Sequence, residues 1–261
     1  MVPEPEDSIV PLARPTRKDM PGARIGAVLI HGFSGSPFQM RDIGEFLTTN
    51  GIATSIIRLP GHGSHLEYFA ASRYEDWMAE VHGAVESLKG HYHNVVVIGR
   101  SLGGALALIE ANEHPENISA LVLIAAPAPS TTQQIQDALL PLVGVFKKSI
   151  KKMWAKPEEN EERIRQGRYL ELPLASLHQF FRTMQKVRAL RFTAITTPTL
   201  LVQGMLDEQA KPKSAAWYES RLGGAVKDIV LITSAAHDAT SVHGNEAMRR
   251  KLLDFLRQSC A

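Results

Sequence analysis

Six short runs rich in Val, Ile and Leu recur along the chain, at residues 25–30, 52–58, 94–99, 120–125, 199–204 and 228–232. Each has the length of a strand, and the nearly unbroken apolar character predicts strands buried on both faces. Between most of them the apolar positions change to a spacing of three and four. That spacing predicts helices over 37–49, 74–89, 101–112, 212–222 and 245–257. Strand and helix therefore alternate, and the expected fold class is α/β, a mostly parallel sheet with helices on both faces. In such sheets ligands bind beyond the carboxyl ends of the strands, so the loops that follow each run carry the functional information.

The alternation breaks once. Residues 126–198 hold no convincing strand over about seventy positions, far more than an ordinary connection needs. This predicts a small helical cap, residues 128–195, inserted between two pieces of core, 1–127 and 196–261. Inside it, 133–154 and 174–190 read as amphipathic helices and 156–162 as a charged turn or helix start. Leu139, Leu142, Val143, Phe146 and Ile150 form one apolar face, which either packs on the sheet or lines an acyl pocket. Lys147, Lys148, Lys151 and Lys152 lie opposite and read as a solvated stripe. The first 24 residues, punctuated by Pro3, Pro5, Pro11, Pro15 and Pro21, read as an extended lead-in.

Composition narrows the function classes. The 261 residues are 44% hydrophobic and 21% charged, a globular profile that excludes disordered, collagen-like and disulfide-scaffold chains. Lys and Arg total 29 against 27 Asp and Glu, for a net charge of +2, so nucleic acid is not an expected partner. Cys260 is the single cysteine and permits no intramolecular disulfide. With no apolar run near ~18 residues and no secretory pattern in the lead-in, the expectation is a cytoplasmic protein without a membrane span.

The chemistry begins at Gly99-Arg100-Ser101-Leu102-Gly103-Gly104, directly after one predicted strand and at the start of a predicted helix. This is the G-x-S-x-G arrangement in its proper context. A sharp strand-to-helix turn strains the serine backbone and presents its oxygen, while Gly99 and Gly103 let the chain pass close to itself. The helix start also aims backbone N–H groups, chiefly that of Leu102, at a negative oxygen forming nearby. A serine hydroxyl needs a base to take its proton and an acid to orient that base, in the order serine, acid, histidine. Asp207 follows the 199–204 strand, with Glu208 as its neighbour and competitor. His237 follows the 228–232 strand in a small-residue loop, with His243 as its rival and Asp238 badly aimed for the same ring. The second anion donor is expected in the loop 31–37, at the N–H of Phe33, with His31 holding that loop in place. His62, His65, His91 and His93 lack recognisable zinc spacing. No metal is implied and no cofactor is required.

Together these four motifs resemble the α/β-hydrolase family over roughly residues 24–256. Leu29-Ile30-His31-Gly32-Phe33-Ser34-Gly35-Ser36-Pro37, Leu59-Pro60-Gly61-His62-Gly63, residues 99–104 and the short insertion are similar to bacterial carboxylesterases and monoacylglycerol lipases. The resemblance implies a small, mobile cap over a pocket for a fatty acyl or other modest acyl chain. It implies a serine hydrolase cleaving carboxylic esters, of short- to medium-chain acids or monoacylglycerols, through an acyl-enzyme. A small-molecule ester is the expected partner, and the protein is expected as a monomer or homodimer. Arg100 departs from the pattern, standing where an apolar residue is commoner, and so does Ala236, in place of a glycine before the histidine. Thioester, amide or carbon–carbon bond hydrolysis by the same three groups stays open, as does a non-catalytic ligand-binding member of the fold.

Overall fold

The computed structural model of the chain describes residues 4–144, 148–151, 157–237 and 245–261. Seven strands form one sheet in the order β1-β3-β2-β4-β5-β8-β9. They are β1 (Thr16–Lys18), β2 (Ile25–Ile30), β3 (Ala53–Ile56), β4 (Asn94–Arg100), β5 (Ala120–Ile124), β8 (Thr199–Gly204) and β9 (Val226–Ile232). All neighbours are parallel except β1, which pairs antiparallel with β3. The six expected strands are all present. β1 was hidden because Thr16-Arg17-Lys18 is a polar edge strand with no buried face to impose a pattern.

Alternate residues of the central strands supply two separate cores, as a pleat with period two requires. Val28, Val97 and Leu121 join Trp77, Leu106 and Met184 on one face. Leu29, Ile98 and Val122 join Ile43, Leu47, Leu252 and Phe255 on the other. The first face is covered by α3 (Tyr74–Lys89) and α4 (Leu102–Glu113), and the second by α1 (Arg41–Thr49) and α9 (Glu246–Ser259). Residues 102–111 of α4 are buried on every side, and the helix packs on β4, β5 and α3. Each fully buried Leu or Ile contributes about 1.5–3 kcal/mol, so this double core holds the strand ends rigid. A short helix α2 (Leu66–Ala71), too brief to show a period, precedes α3, and α8 (Lys213–Leu222) links β8 to β9.

Between β5 and β8 the chain differs from its expected form. The expected helix 133–154 stops early: α5 covers Thr131–Gly144, and Ser149–Lys151 is a short strand, β6. It pairs antiparallel with β7 (Glu171–Pro173), Ile150 opposite Leu172, so this segment is not purely helical. The spacing from Leu139 to Ile150 fits a helical stripe, yet Ile150 leaves the helix for the strand. One apolar residue between Ser149 and Lys151 is too little alternation to reveal a strand. Lys148 and Lys151 are exposed, as a solvated stripe requires, while Phe146, Lys147 and Lys152 lie outside the described residues. The charged stretch becomes α6 (Pro157–Arg165), and α7 (Leu174–Arg188) packs over α4 through Met184 and Val187. No helix among the described residues is long and apolar enough to cross a membrane.

Candidate active site

Strand register levels the carboxyl ends of β2, β4, β8 and β9, with Ile30 opposite Gly99 and Gly204 opposite Ile232. Every candidate side chain hangs from one of these ends. Ser101 lies between β4 and α4 with φ 52° and ψ −117°, a left-handed conformation that costs an L-residue on the order of 1–3 kcal/mol. The surroundings enforce it. A Cβ on Gly99 would sit 2.2 Å from the Gly103 carbonyl oxygen, and one on Gly103 would sit 2.3 Å from that of Ile30. Behind the turn, the Ser101 N–H donates to the Ile124 carbonyl at 2.9 Å.

Asp207 and His237 come from the loops after β8 and β9, which two backbone bonds join: Met205 N–H to Ile232 O and Leu206 N–H to Ala235 O, both 3.0 Å. Asp207 is 2% exposed. Its Oδ1 accepts the N–H groups of Gln209 at 2.9 Å and Ala210 at 2.8 Å, and its Oδ2 accepts His237 Nδ1–H at 2.8 Å. An acceptor-only carboxylate at Nδ1 assigns the proton there and leaves Nε2 as the ring's basic nitrogen. Glu208, the competitor, is exposed. His243 and Asp238 lie outside the described residues.

Arg100, read from sequence only as a departure, is 7% exposed and donates from Nη2 to the His237 backbone carbonyl at 2.5 Å. It ties the serine turn to the histidine loop across 137 positions of sequence. No periodicity or motif signals such a bond.

Ser101, His237 and Phe33 line one cavity of about 740 Å³. Its far walls come from the segment between β5 and β8: Leu139, Ile150, Leu172, Phe180 and Phe181 are apolar, and Arg163 and Arg168 add charge. The apolar face expected on this segment therefore reaches the cavity through Leu139 and Ile150, which stay 48% and 40% exposed; the Leu142, Val143 and Phe146 side chains lie outside the described residues. These wall residues were illegible beforehand because a helical stripe does not say which surface it will meet. Leu102 is buried as the first residue of α4. Among the described residues neither its N–H nor that of Phe33 donates to a protein acceptor, so both donors are available to a ligand oxygen. Gln39 Oε1 accepts the Gly32 N–H at 3.0 Å and holds the Phe33 loop.

His31 is fully buried beneath that loop. It accepts the Leu59 N–H at Nε2 (3.1 Å), so its Nδ1–H donates to Gly32 O at 2.9 Å. Burial pulls its pKa down to about 4, opposed by the Gly32 hydrogen bond. His62, also buried, is held well below the usual imidazole range by desolvation and by His31. Both are neutral scaffold groups. Among the described residues no trio of metal-ligating side chains borders the cavity.

The family model described as "Serine aminopeptidase, S33" (Hydrolase_4) matches residues 23–241. The chain belongs to this α/β-hydrolase family. It is similar to the thermostable monoacylglycerol lipase of Bacillus sp. (strain H-257), 29% identical over 236 residues, covering 88% of this chain and 90% of that protein. The carboxylesterase of Bacillus subtilis (strain 168) is 24% identical over 239 residues, 91% and 94% of the two chains. Among solved structures, one from work on LipS and LipT, two metagenome-derived lipolytic enzymes, superposes with a TM-score of 0.81 at 24% identity. It covers 96% of this chain and 99% of that one, a likeness of fold. The α/β-hydrolase fold is thus established.

Proposed function

We propose that this α/β hydrolase is a serine carboxylic-ester hydrolase acting through an acyl-enzyme. One observation carries the reading: a strained serine and a histidine already bonded to a buried carboxylate open onto the same largely apolar cavity. In it, Ser101 Oγ attacks the ester carbonyl carbon while His237 Nε2 takes the hydroxyl proton. Asp207 holds the ring and balances the imidazolium charge. The N–H groups of Phe33 and Leu102 stabilise the oxyanion, a contribution of about 2.7–4 kcal/mol per donor in comparable sites. Collapse breaks the carbon–oxygen bond, His237 returns the proton to the alcohol, and a water activated by His237 then releases the acid and frees Ser101.

Residues 128–195 act in this reading as a cap. The cavity is roomy enough for a medium-length acyl chain against Leu139, Phe180 and Phe181, in keeping with relatives named for monoacylglycerol and carboxyl esters. The proposal includes a cytoplasmic monomer or homodimer and a place in lipid-ester metabolism. The family's description names an aminopeptidase, so the test must separate ester from amide. A panel of p-nitrophenyl esters from acetate to laurate, with monoacylglycerols, acyl thioesters and aminoacyl anilides alongside, does so. The expected result is ester turnover that rises with acyl length to the middle of the series. Turnover confined to anilides or thioesters would overturn the ester assignment.

A further inference from the structure

Outside the cavity, one cluster has no explained purpose. His82 on α3, Glu110 on the last turns of α4 and His114 just past its end bring one ligand atom each within 4.8 Å of the others. Glu110 and His114 are four apart, so the helix end presents them on one side. α3 supplies the third group across the helix–helix contact. His82 Nδ1 lies 2.8 Å from Glu110 Oε1, and the two imidazole rings are 4.4 Å apart between centroids.

An independent observation concerns the carboxylate. Glu110 is wholly buried, and its Oε2 has no hydrogen-bond partner. A carboxyl oxygen kept dry and without a hydrogen-bond partner is costly, and native structures tolerate one where an ion, water or function accounts for it. The two rings are only partly covered, with 42% of the His82 side chain and 38% of that of His114 exposed. The cluster therefore has a buried carboxyl floor and two imidazole walls open to solvent.

We propose that His82, Glu110 and His114 bind a divalent transition-metal ion of the zinc class. Two imidazole nitrogens and one carboxylate are the donor set of that class, whereas magnesium and calcium prefer all-oxygen sites. Tetrahedral ligands at 2.0–2.2 Å from an ion lie about 3.4 Å apart, between the 2.8 Å of the His82–Glu110 pair and the 4.8 Å limit of the cluster, so small side-chain rotations meet that spacing, with water in the fourth position. None of the three residues lines the cavity, and Glu110 is about 14 Å along α4 from Ser101 at 1.5 Å per residue. The site is independent of the proposed ester chemistry and stabilises the contact between α3 and α4.

The test uses the untagged full chain, stripped with EDTA and titrated with zinc chloride by calorimetry, with thermal unfolding measured in parallel. The expected result is one zinc per chain with a rise in Tm. His82→Ala and His114→Ala should each weaken binding at least about tenfold. Because both rings are partly exposed, these variants should fold, and His82→Gln and His114→Gln keep comparable bulk as a second pair. Absence of saturable binding at micromolar zinc, or equal affinity in wild type and all four variants, would overturn the site.

Discussion

The strand-end loops and the segment that roofs them are built on opposite terms. Ser101, Asp207 and His237 hang from strands buried on both faces, and their loops are cross-bonded at Met205, Leu206 and Arg100. The roof divides in two. Its α7 half sinks Met184 and Val187 into the main core, and Tyr169 is clamped to the floor through its OH to Gly61 O at 2.6 Å. Its α5–β6 half leaves Ile135, Leu139 and Ile150 between 40% and 57% exposed. Chemistry that tolerates little displacement sits on the rigid part. The part that lines the cavity with Leu139 and Ile150 keeps apolar surface exposed, as the proposed acyl-binding role requires.

The largest effects belong to the strand-end loops. Ser101→Ala and His237→Ala should each remove nearly all ester turnover, on the order of 10⁶ in kcat, with the fold unchanged by circular dichroism. Near-normal rates in either would dissolve the distinction between machinery and roof. Asp207→Asn should cost about 10⁴ in kcat, because an amide cannot enforce the Nδ1–H tautomer. A mild loss would shift attention to the exposed Glu208.

The floor should also be sensitive to acid. His31 has a pKa of about 4 when folded against 6.5 as the reference value, so the unfolded chain binds the extra proton first as pH falls. Stability is fully present above about pH 6.5 and declines toward pH 4, by about 3 kcal/mol from His31. His62 acts in the same direction. Urea unfolding from pH 7 to 4.5 measures this, and the decline should be smaller in His31→Gln. A profile identical to wild type would contradict the neutral scaffold role. The roof should give the smallest effect: Leu139→Ala raises KM for a long-chain ester about tenfold, with kcat and acetate-ester kinetics preserved. An equal effect on acetate would mean that Leu139 supports the fold instead of contacting the acyl chain.

The same contrast explains what the sequence disclosed. Strands buried on both faces leave unbroken apolar runs, so Ile25–Ile30 and Thr199–Gly204 were readable to the residue. The serine turn was legible because its glycines are dictated by backbone contacts within a few residues and across one strand. Asp207 and Glu208 differ in side-chain length, which the sequence shows, and in burial and the bond to His237, which it does not. The Arg100 bond, the pairing of Ile150 with Leu172, and the union of His82 with Glu110 and His114 join segments that meet only after folding. Local pattern carries no record of them.

A fluorophosphonate probe, read by intact mass and peptide mapping, tests whether Ser101 is an activated nucleophile. The wild type should carry a single adduct on Ser101, formed far more slowly in His237→Ala and absent in Ser101→Ala. An unlabelled wild type, or an adduct that persists at another residue when Ser101 is replaced, would contradict it.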